Sequence, residues 1–468
     1  MMTSKKTLTI LGILLLGLTS CKKYLDVKPY DLTIPTTVEE HMAILHTRLN
    51  KIDKGDNQPL IFSASQTLSW DLFADDFESA LTKGNTVGLN QWVGFSQQGG
   101  NTTTYFKQLY EIIRDCNIVL AGMPNDGTDL SRNAFGTAYT MRGLAYLQLL
   151  RLYSPAFKAG EEQPGVPLIK EFDMEARPPR TTVQAVAQSI EQDLTKALTY
   201  HVDNADFLFT EDVTRGILVR LYFWTEQWDK VLTTAQPLLD KYPLLSGDAY
   251  KEMLSSVSQK GNVLIKVLQM STSSQETERF EELKKIPVSA RFVNLFPSAD
   301  RDKDIRYKLS VDKKRIAKKS VFPGFRIAEV HLMATEAHYH LGQNEQALKM
   351  LNALRAARLT GVQPLTMQNL PDSWSDELIT EDATGKPLTP LIRAILAERH
   401  KEFFMEGDRF FELKRNGSPE FWKAYNGAKY TTKKFMYCFP IPPEDIIHQP
   451  TLIQNEGYAE YTIGMPKA

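Results

Sequence analysis

Three carboxylates, Glu398, Glu402 and Glu406, recur at intervals of four in one segment, a spacing that puts them on one face of a helix. Carboxylate pairs carry the acid and base steps of glycoside hydrolysis. The same segment holds Arg399, Lys401, Arg409, Lys414 and Arg415 as ion-pair partners, and Phe403, Phe404, Phe410 and Phe411 as apolar surface. It therefore reads as a scaffold helix and turn, with Gly407 allowing a tight passage. Asp71, Asp75, Asp76 and Glu78 crowd a second segment, and hard cations use such clusters. The EF-hand spacing and its glycine are missing, so a solvated helix start, complementing the helix dipole, is the expectation, and no metal site is assigned. His331, His338 and His340 read as core or rim residues, because no H-E-x-x-H or Glu-x-x-His occurs. Gly94-Phe95-Ser96-Gln97-Gln98-Gly99 places its second glycine one residue late for a nucleophile elbow, and no phosphate loop occurs. The run Arg301 to Lys319, with nine Lys/Arg and three Asp, reads as a solvated strand or loop edge. Nothing here supports catalysis or requires a cofactor.

Binding has a better candidate. Residues 84–104 carry five glycines and no helical period, yet contain Trp92 and Phe95 among Asn85, Asn90, Gln91, Gln97, Gln98 and Asn101. A sugar ring offers an apolar C–H face, which a flat aromatic covers, and a fringe of hydroxyls, which planar amides pair. Trp70 and Tyr105 flank the segment. The competing reading is that Trp92 only pins a long loop to the body. Trp224 and Trp228 lie on an apolar helical stripe and read as core; Trp374 and Trp422 stay open.

The elements that position these residues are helices. Val183, Val186, Ile190, Leu194 and Ala197 mark one, with Thr181 and Gln184 as a capping box. Val213, Ile217, Leu221, Trp224 and Trp228 mark a second, and Val231, Ala235 and Leu238 continue after a break around Trp228-Asp229. The stripe Ile327, Val330, Ala334, Ala337 and Leu341, then Gly342, then Ala347, Leu351 and Leu354 completes a helix–turn–helix of tetratricopeptide type. Period lapses from 259 to 325, where Val263 to Val267 reads as a strand. Residues 155–180 hold five prolines. The fold class expected is mainly α: irregular tetratricopeptide-like pairs decorated with long loops and a few short strands.

The composition agrees. The 468 residues are 42% hydrophobic and 24% charged, with 55 Lys/Arg against 56 Asp/Glu, which excludes disorder and argues against nucleic-acid binding. Lys5, Lys6 and the apolar run Leu8 to Leu18 make a secretory signal. Leu18-Thr19-Ser20-Cys21 resembles a bacterial lipobox, which implies cleavage before Cys21 and its lipidation. Cys116 and Cys438 are then the only other thiols; they form no disulfide framework and read as buried hydrophobes, their pairing left open.

Four stretches together resemble the SusD/RagB family of Bacteroidetes outer-membrane lipoproteins. They are Cys21 to Pro29, Arg142 to Tyr153 with Gly165 to Ile169, Ala397 to Arg415, and Pro440 to Glu444 with Gln454 to Tyr458. Two positions depart from the pattern: Glu456 stands where Pro is more usual, and Gln449-Pro450 where Asn-Pro is. The resemblance implies a signal peptide over 1–20, an N-terminal SusD-like helical region over 21–258, and a C-terminal region over 259–468 within one compact fold. It also implies an outer-membrane lipoprotein that captures nutrient, glycans in most relatives and peptides in others, as the lid of a SusC-like TonB-dependent transporter. A lipid-anchored scaffold with only protein partners is the remaining alternative. The ligand-contacting set expected is Trp92, Phe95, Trp70, Tyr105, Gln97 and Asn101.

Overall fold

The computed structural model describes residues 35–78, 100–173, 175–268, 283, 285–425 and 428–458, with backbone only for 100–103, 423–425 and 428. Cys21 and the leader lie outside these residues. From Thr37 the described residues form one compact unit.

Helices begin where a side chain can satisfy the free N–H groups of the first turn. α1 (Val38–Asp53) starts with a capping box of Thr37 and Glu40, and α2 (Ala64–Phe73) with one of Ser63 and Gln66. α3 (Gly100–Gly122) and α4 (Asp129–Tyr153) follow, then a two-stranded antiparallel sheet of β1 (Pro164–Pro167) and β2 (Arg180–Thr182). α5 (Val183–Leu198) carries the expected stripe, but its cap is Thr182, which accepts from Ala185 N, so the capping box at Thr181 is not the one used. α6 (Glu211–Trp224) and α7 (Trp228–Lys241) form the next pair. The stripe read through Trp228 is broken three residues earlier, because Glu226 adopts a left-handed φ of 57° and Trp228 opens the following helix.

After α8 (Gly247–Ser255), β3 (Val263–Lys266) pairs antiparallel with β4 (Gly324–Arg326), around the short helices α9 (Ala290–Asn294) and α10 (Ile305–Ser310). α11 (Ile327–His340) and α12 (Asn344–Arg358) turn through Gly342 at φ +74°, as the sequence indicates. α13 (Pro390–Glu402) and α14 (Arg409–Arg415) precede the hairpin β5 (Phe421–Tyr425)–β6 (Ala428–Thr432) and α15 (Pro443–His448). Consecutive pairs from α3 to α7 pack together, and α11 packs on both α7 and α12. The main core runs from Val38 to Tyr458, so both ends of the described chain share one apolar interior. The fold is mainly α, with three two-stranded sheets among the described residues.

Cys116 and Cys438 are free thiols; Cys116 is buried, and burial pushes its thiol pKa up.

Candidate functional site

The acidic cluster corrects its sequence reading. Asp71, Asp75 and Asp76 do not start a helix in solvent; they sit at the C-terminal end of α2 and beyond it, and all three are buried. Negative charge there opposes the helix dipole, and distant partners offset it. Arg409 donates Nε and Nη2 to Asp75 at 2.7 and 3.1 Å, with Arg291 Nη1 at 3.4 Å. Burial alone would raise the Asp75 carboxyl; Arg409 more than offsets it and holds the pKa below the usual range. His400 Nε2 lies 2.6 Å from Asp76 Oδ1, and Asp71 Oδ1 accepts the Gly407 N–H at 3.0 Å. Burial, with Asp76 nearby, pushes Asp71 well up.

This clamp fixes the next residues. Phe77 bridges Val288, Glu78 N donates to Pro287 O at 2.9 Å, and Ser289 N donates to Asp76 O at 2.8 Å. Glu78 also accepts from Ala290 N at 3.0 Å and pairs with Arg315. Residue 78 precedes the segment that contains Trp92, and residues 285–290 follow the second long stretch outside the described residues. The borders of both stretches are therefore tied to each other. Trp374 packs beside them, against the cluster of Phe77, Val288 and Leu295.

Trp92, Phe95 and Gln97 lie outside the described residues, and Asn101 is placed only as backbone on the first turn of α3. Tyr105 is half-buried on α3, its ring 6.2 Å from that of Trp70. Trp70 is 2% exposed. Phe62, Phe73, Phe410, Phe411 and Phe439 surround its indole at centroid distances of 5.2 to 5.7 Å. No ring face is left for a sugar, so Trp70 is a core residue and its expected ligand role is corrected. Trp224 is buried as expected, Trp228 is half-buried against His340, and Trp422 stands 40% exposed on β5.

The three glutamates are spent in ion pairs. Glu398 is held by Lys401, Arg355 and Arg306, each at 2.6 to 2.7 Å. Glu402 meets Arg358 and Arg326 at 2.7 Å, and Glu406 meets Lys319 at 2.6 Å and Arg326 at 2.9 Å. Burial would raise Glu402, but Arg358 and Arg326 drive it well below the carboxylate range. A general acid needs the opposite shift. The scaffold reading of this segment matches these contacts. The basic run is corrected in part: Arg306 and Lys319 are buried partners of this network rather than a solvated edge.

A groove of about 1120 Å³ lies elsewhere, between Phe157, Arg180, Glu381, Lys434, Phe435 and Glu456. Sequence reasoning missed it, since separated segments build it; the prolines of 155–180 were its only signal. Among the described residues no group of three His, Cys, Asp or Glu could hold a metal ion, and no helix is long and apolar enough to cross a membrane.

Comparison with known proteins adds two family models. One described as the SusD family matches residues 306–458, and one described as starch-binding associating with outer membrane matches 23–223. The starch-binding protein SusD of Bacteroides thetaiotaomicron is 31% identical over 144 residues; the match covers 29% of this chain and only 21% of that protein. A Bacteroides vulgatus protein named for sugar binding superposes with TM-score 0.69 at 22% identity, over 92% of this chain and 100% of its own. A SusD-like carbohydrate binding protein from the same organism gives 0.66 at 21%, over 89% and 98%. At these identities the two structures establish the fold alone.

Proposed function

This chain belongs to the SusD/RagB family, and from that premise we propose that it captures glycans at the outer membrane as the lid of a SusC-like TonB-dependent transporter. Cys21 carries the lipid anchor, and the anchored chain faces the cell exterior. Its contribution is binding rather than turnover. The match of residues 23–223 to a starch-binding, outer-membrane-associating family carries the reading. The clamp at Phe77–Val288 supports it, because it fixes the chain at Glu78, about six residues before the 84–104 segment bearing Trp92, Phe95, Gln97 and Asn101. An aromatic site of micromolar to millimolar Kd, about −8 to −4 kcal/mol, suits a protein that hands its ligand onward. Tyr105 remains with that set, and Trp374 joins it as a neighbour of the clamp.

The test is a glycan-binding screen of the soluble chain from Lys22 onward, with Trp92→Ala alongside. Binding by the parent that is lost in the variant supports capture through Trp92. Binding kept by both moves the site, first to Trp374 and then to the 1120 Å³ groove. Binding by neither refutes the glycan reading and turns the screen to peptides.

A further inference from the structure

The buried network uses only part of the basic run Arg301 to Lys319. The end of the run folds back on itself as a tight hairpin. Val311 and Ala317 form an isolated antiparallel bridge, Asp312 N donates to Ile316 O at 3.0 Å, and Lys318 N donates to Ser310 O at 2.8 Å. Asp312 Oδ1 accepts the Lys314 and Ile316 N–H groups at 2.8 Å each, which closes the turn. The tip is fastened to the Phe77–Val288 clamp. Val288 N donates to Arg315 O at 2.7 Å, and Arg315 Nη1 donates to Val288 O at 3.1 Å and to Glu78 Oε1 at 2.5 Å.

From Lys308 to Lys319 the sequence has six Lys/Arg and one Asp. Arg315 is paired with Glu78 and Lys319 with Glu406. Lys308, Lys313, Lys314 and Lys318 are exposed and form no ion pair among the described residues. Setting Asp312 against these four lysines leaves three positive charges. The neighbouring stretches do not offset them in sum. Residues 79–99 add Lys83, and residues 269–285 add Glu276, Glu278, Glu281 and Glu282 against Arg279, Lys284 and Lys285. Lysines commonly blunt an exposed sheet edge, but Val311–Ala317 is a single bridge with no such edge to protect. Crowded like charges repel one another, and a partner with fixed negative charge removes that cost.

We propose that Lys308, Lys313, Lys314 and Lys318 recognise negatively charged groups on the captured ligand, which makes that ligand an acidic polysaccharide bearing sulfate or uronate. The inference rests on glycan capture as the function and names the class of glycan. Position carries it: Arg315 ties the lysine hairpin to Glu78, the same fixed point that precedes the segment with Trp92. Lysine is a point charge on a long flexible stem, so it meets sulfate and carboxylate alike without demanding one geometry. Contacts of this kind are exposed and weaken as salt screens them.

The probes are chondroitin sulfate, polygalacturonate and the neutral amylopectin, each titrated with the soluble chain from Lys22 onward at low and high sodium chloride. Each exposed pair multiplies affinity about 1.5- to 5-fold. Lys313→Gln, Lys314→Gln and Lys318→Gln together should therefore weaken binding of the acidic polysaccharides about tenfold, as should high salt. Lys196→Gln, Lys251→Gln and Lys349→Gln together make the same charge change elsewhere on the surface and should not. All six lysines are exposed, so both triple variants should melt as the parent does. Tighter binding of chondroitin sulfate assigns sulfate, and of polygalacturonate uronate. Amylopectin bound as tightly as either overturns the acidic class and leaves glycan capture standing. Acidic binding that both triple variants lose equally, or that neither loses, overturns the hairpin as its site. Binding lost in the hairpin variant but kept in Trp92→Ala upholds the hairpin and refutes the role of Trp92. Binding to none of the three overturns this inference and glycan capture together. If the hairpin variant loses only binding to lipid A vesicles, the hairpin is a membrane contact and the inference fails.

Discussion

Replacing Glu402 by Gln tests whether the carboxylate trio is structural. The side chain is fully buried, receives Arg358 Nη2 and Nε at 2.7 and 2.9 Å and Arg326 Nη1 at 2.7 Å, and has Arg306 Nη1 at 3.6 Å. The amide keeps the shape but removes the charge, and its NH₂ group faces guanidinium donors instead of accepting from them. Breaking a buried pair by removing one partner costs about 3–5 kcal/mol, because the surviving charges are stranded. Three arginines share this carboxylate, so a loss of about 4 kcal/mol is expected, read as a lower urea midpoint at unchanged m-value by tryptophan fluorescence. Lys251→Met, which removes an exposed partner of Asp248, should leave the midpoint where it is. A Glu402→Gln loss below about 1 kcal/mol would refute the electrostatic account. So would a variant of normal stability that no longer binds glycan, since the carboxylate would then belong to the site.

Two further outcomes follow from single residues. Burial pushes the Glu226 carboxyl up to about 7. Between about 4.5 and 7 the native state holds a proton that the unfolded chain has released, so stability falls as pH rises through that window. Glu226 is partly exposed, and solvent screening reduces the cost to about 1 kcal/mol; Glu226→Gln should recover it at pH 8 and change nothing at pH 4, in melts at both values. Gly457 has φ +82°, and a Cβ added there would meet the Phe435 ring at 2.3 Å, whereas Gly342, at φ +74°, has open space. Gly342→Ala should cost about 1 kcal/mol for its backbone conformation and Gly457→Ala about 1–3 kcal/mol more for overpacking; equal losses would refute the clash.

What could be read from the sequence was local. The helices over 183–198 and 327–340 announce themselves by apolar residues three and four apart, a signal that needs no knowledge of the partner. The strand at 263 shows by its β-branched run, although its mate Gly324–Arg326 lies 60 residues on. Errors arose where the partner is remote. Asp75 looks like a solvated acid until Arg409, 334 residues later, is placed beside it. Arg306 and Lys319 look like a charged edge until Glu398 and Glu406 arrive. Trp70 looks like a flanking aromatic because two of its neighbours, Phe410 and Phe411, are encoded on α14.

The same distance explains why the resemblance reveals more about the fold than about the ligand. The stretch Ala397 to Arg415 is its most specific part, and its charged residues turn inward: Arg399 to Asp408, His400 to Asp76, Glu402 to Arg358, Arg409 to Asp75, Arg415 to Glu336. Each pair joins elements far apart in sequence or closes the turn between α13 and α14, so the stretch specifies how the chain packs. The aromatic residues that would choose a glycan lie instead beyond Glu78, in a segment with glycines and amides and no packing period. A buried ion pair constrains both partners at once, and the Asp75–Arg409 clamp and the Phe77–Val288 bridge fix the chain ahead of that segment. Under the proposed function, the buried ion pairs set the fold and the segment that contains Trp92, which follows the fixed point at Glu78, sets the ligand.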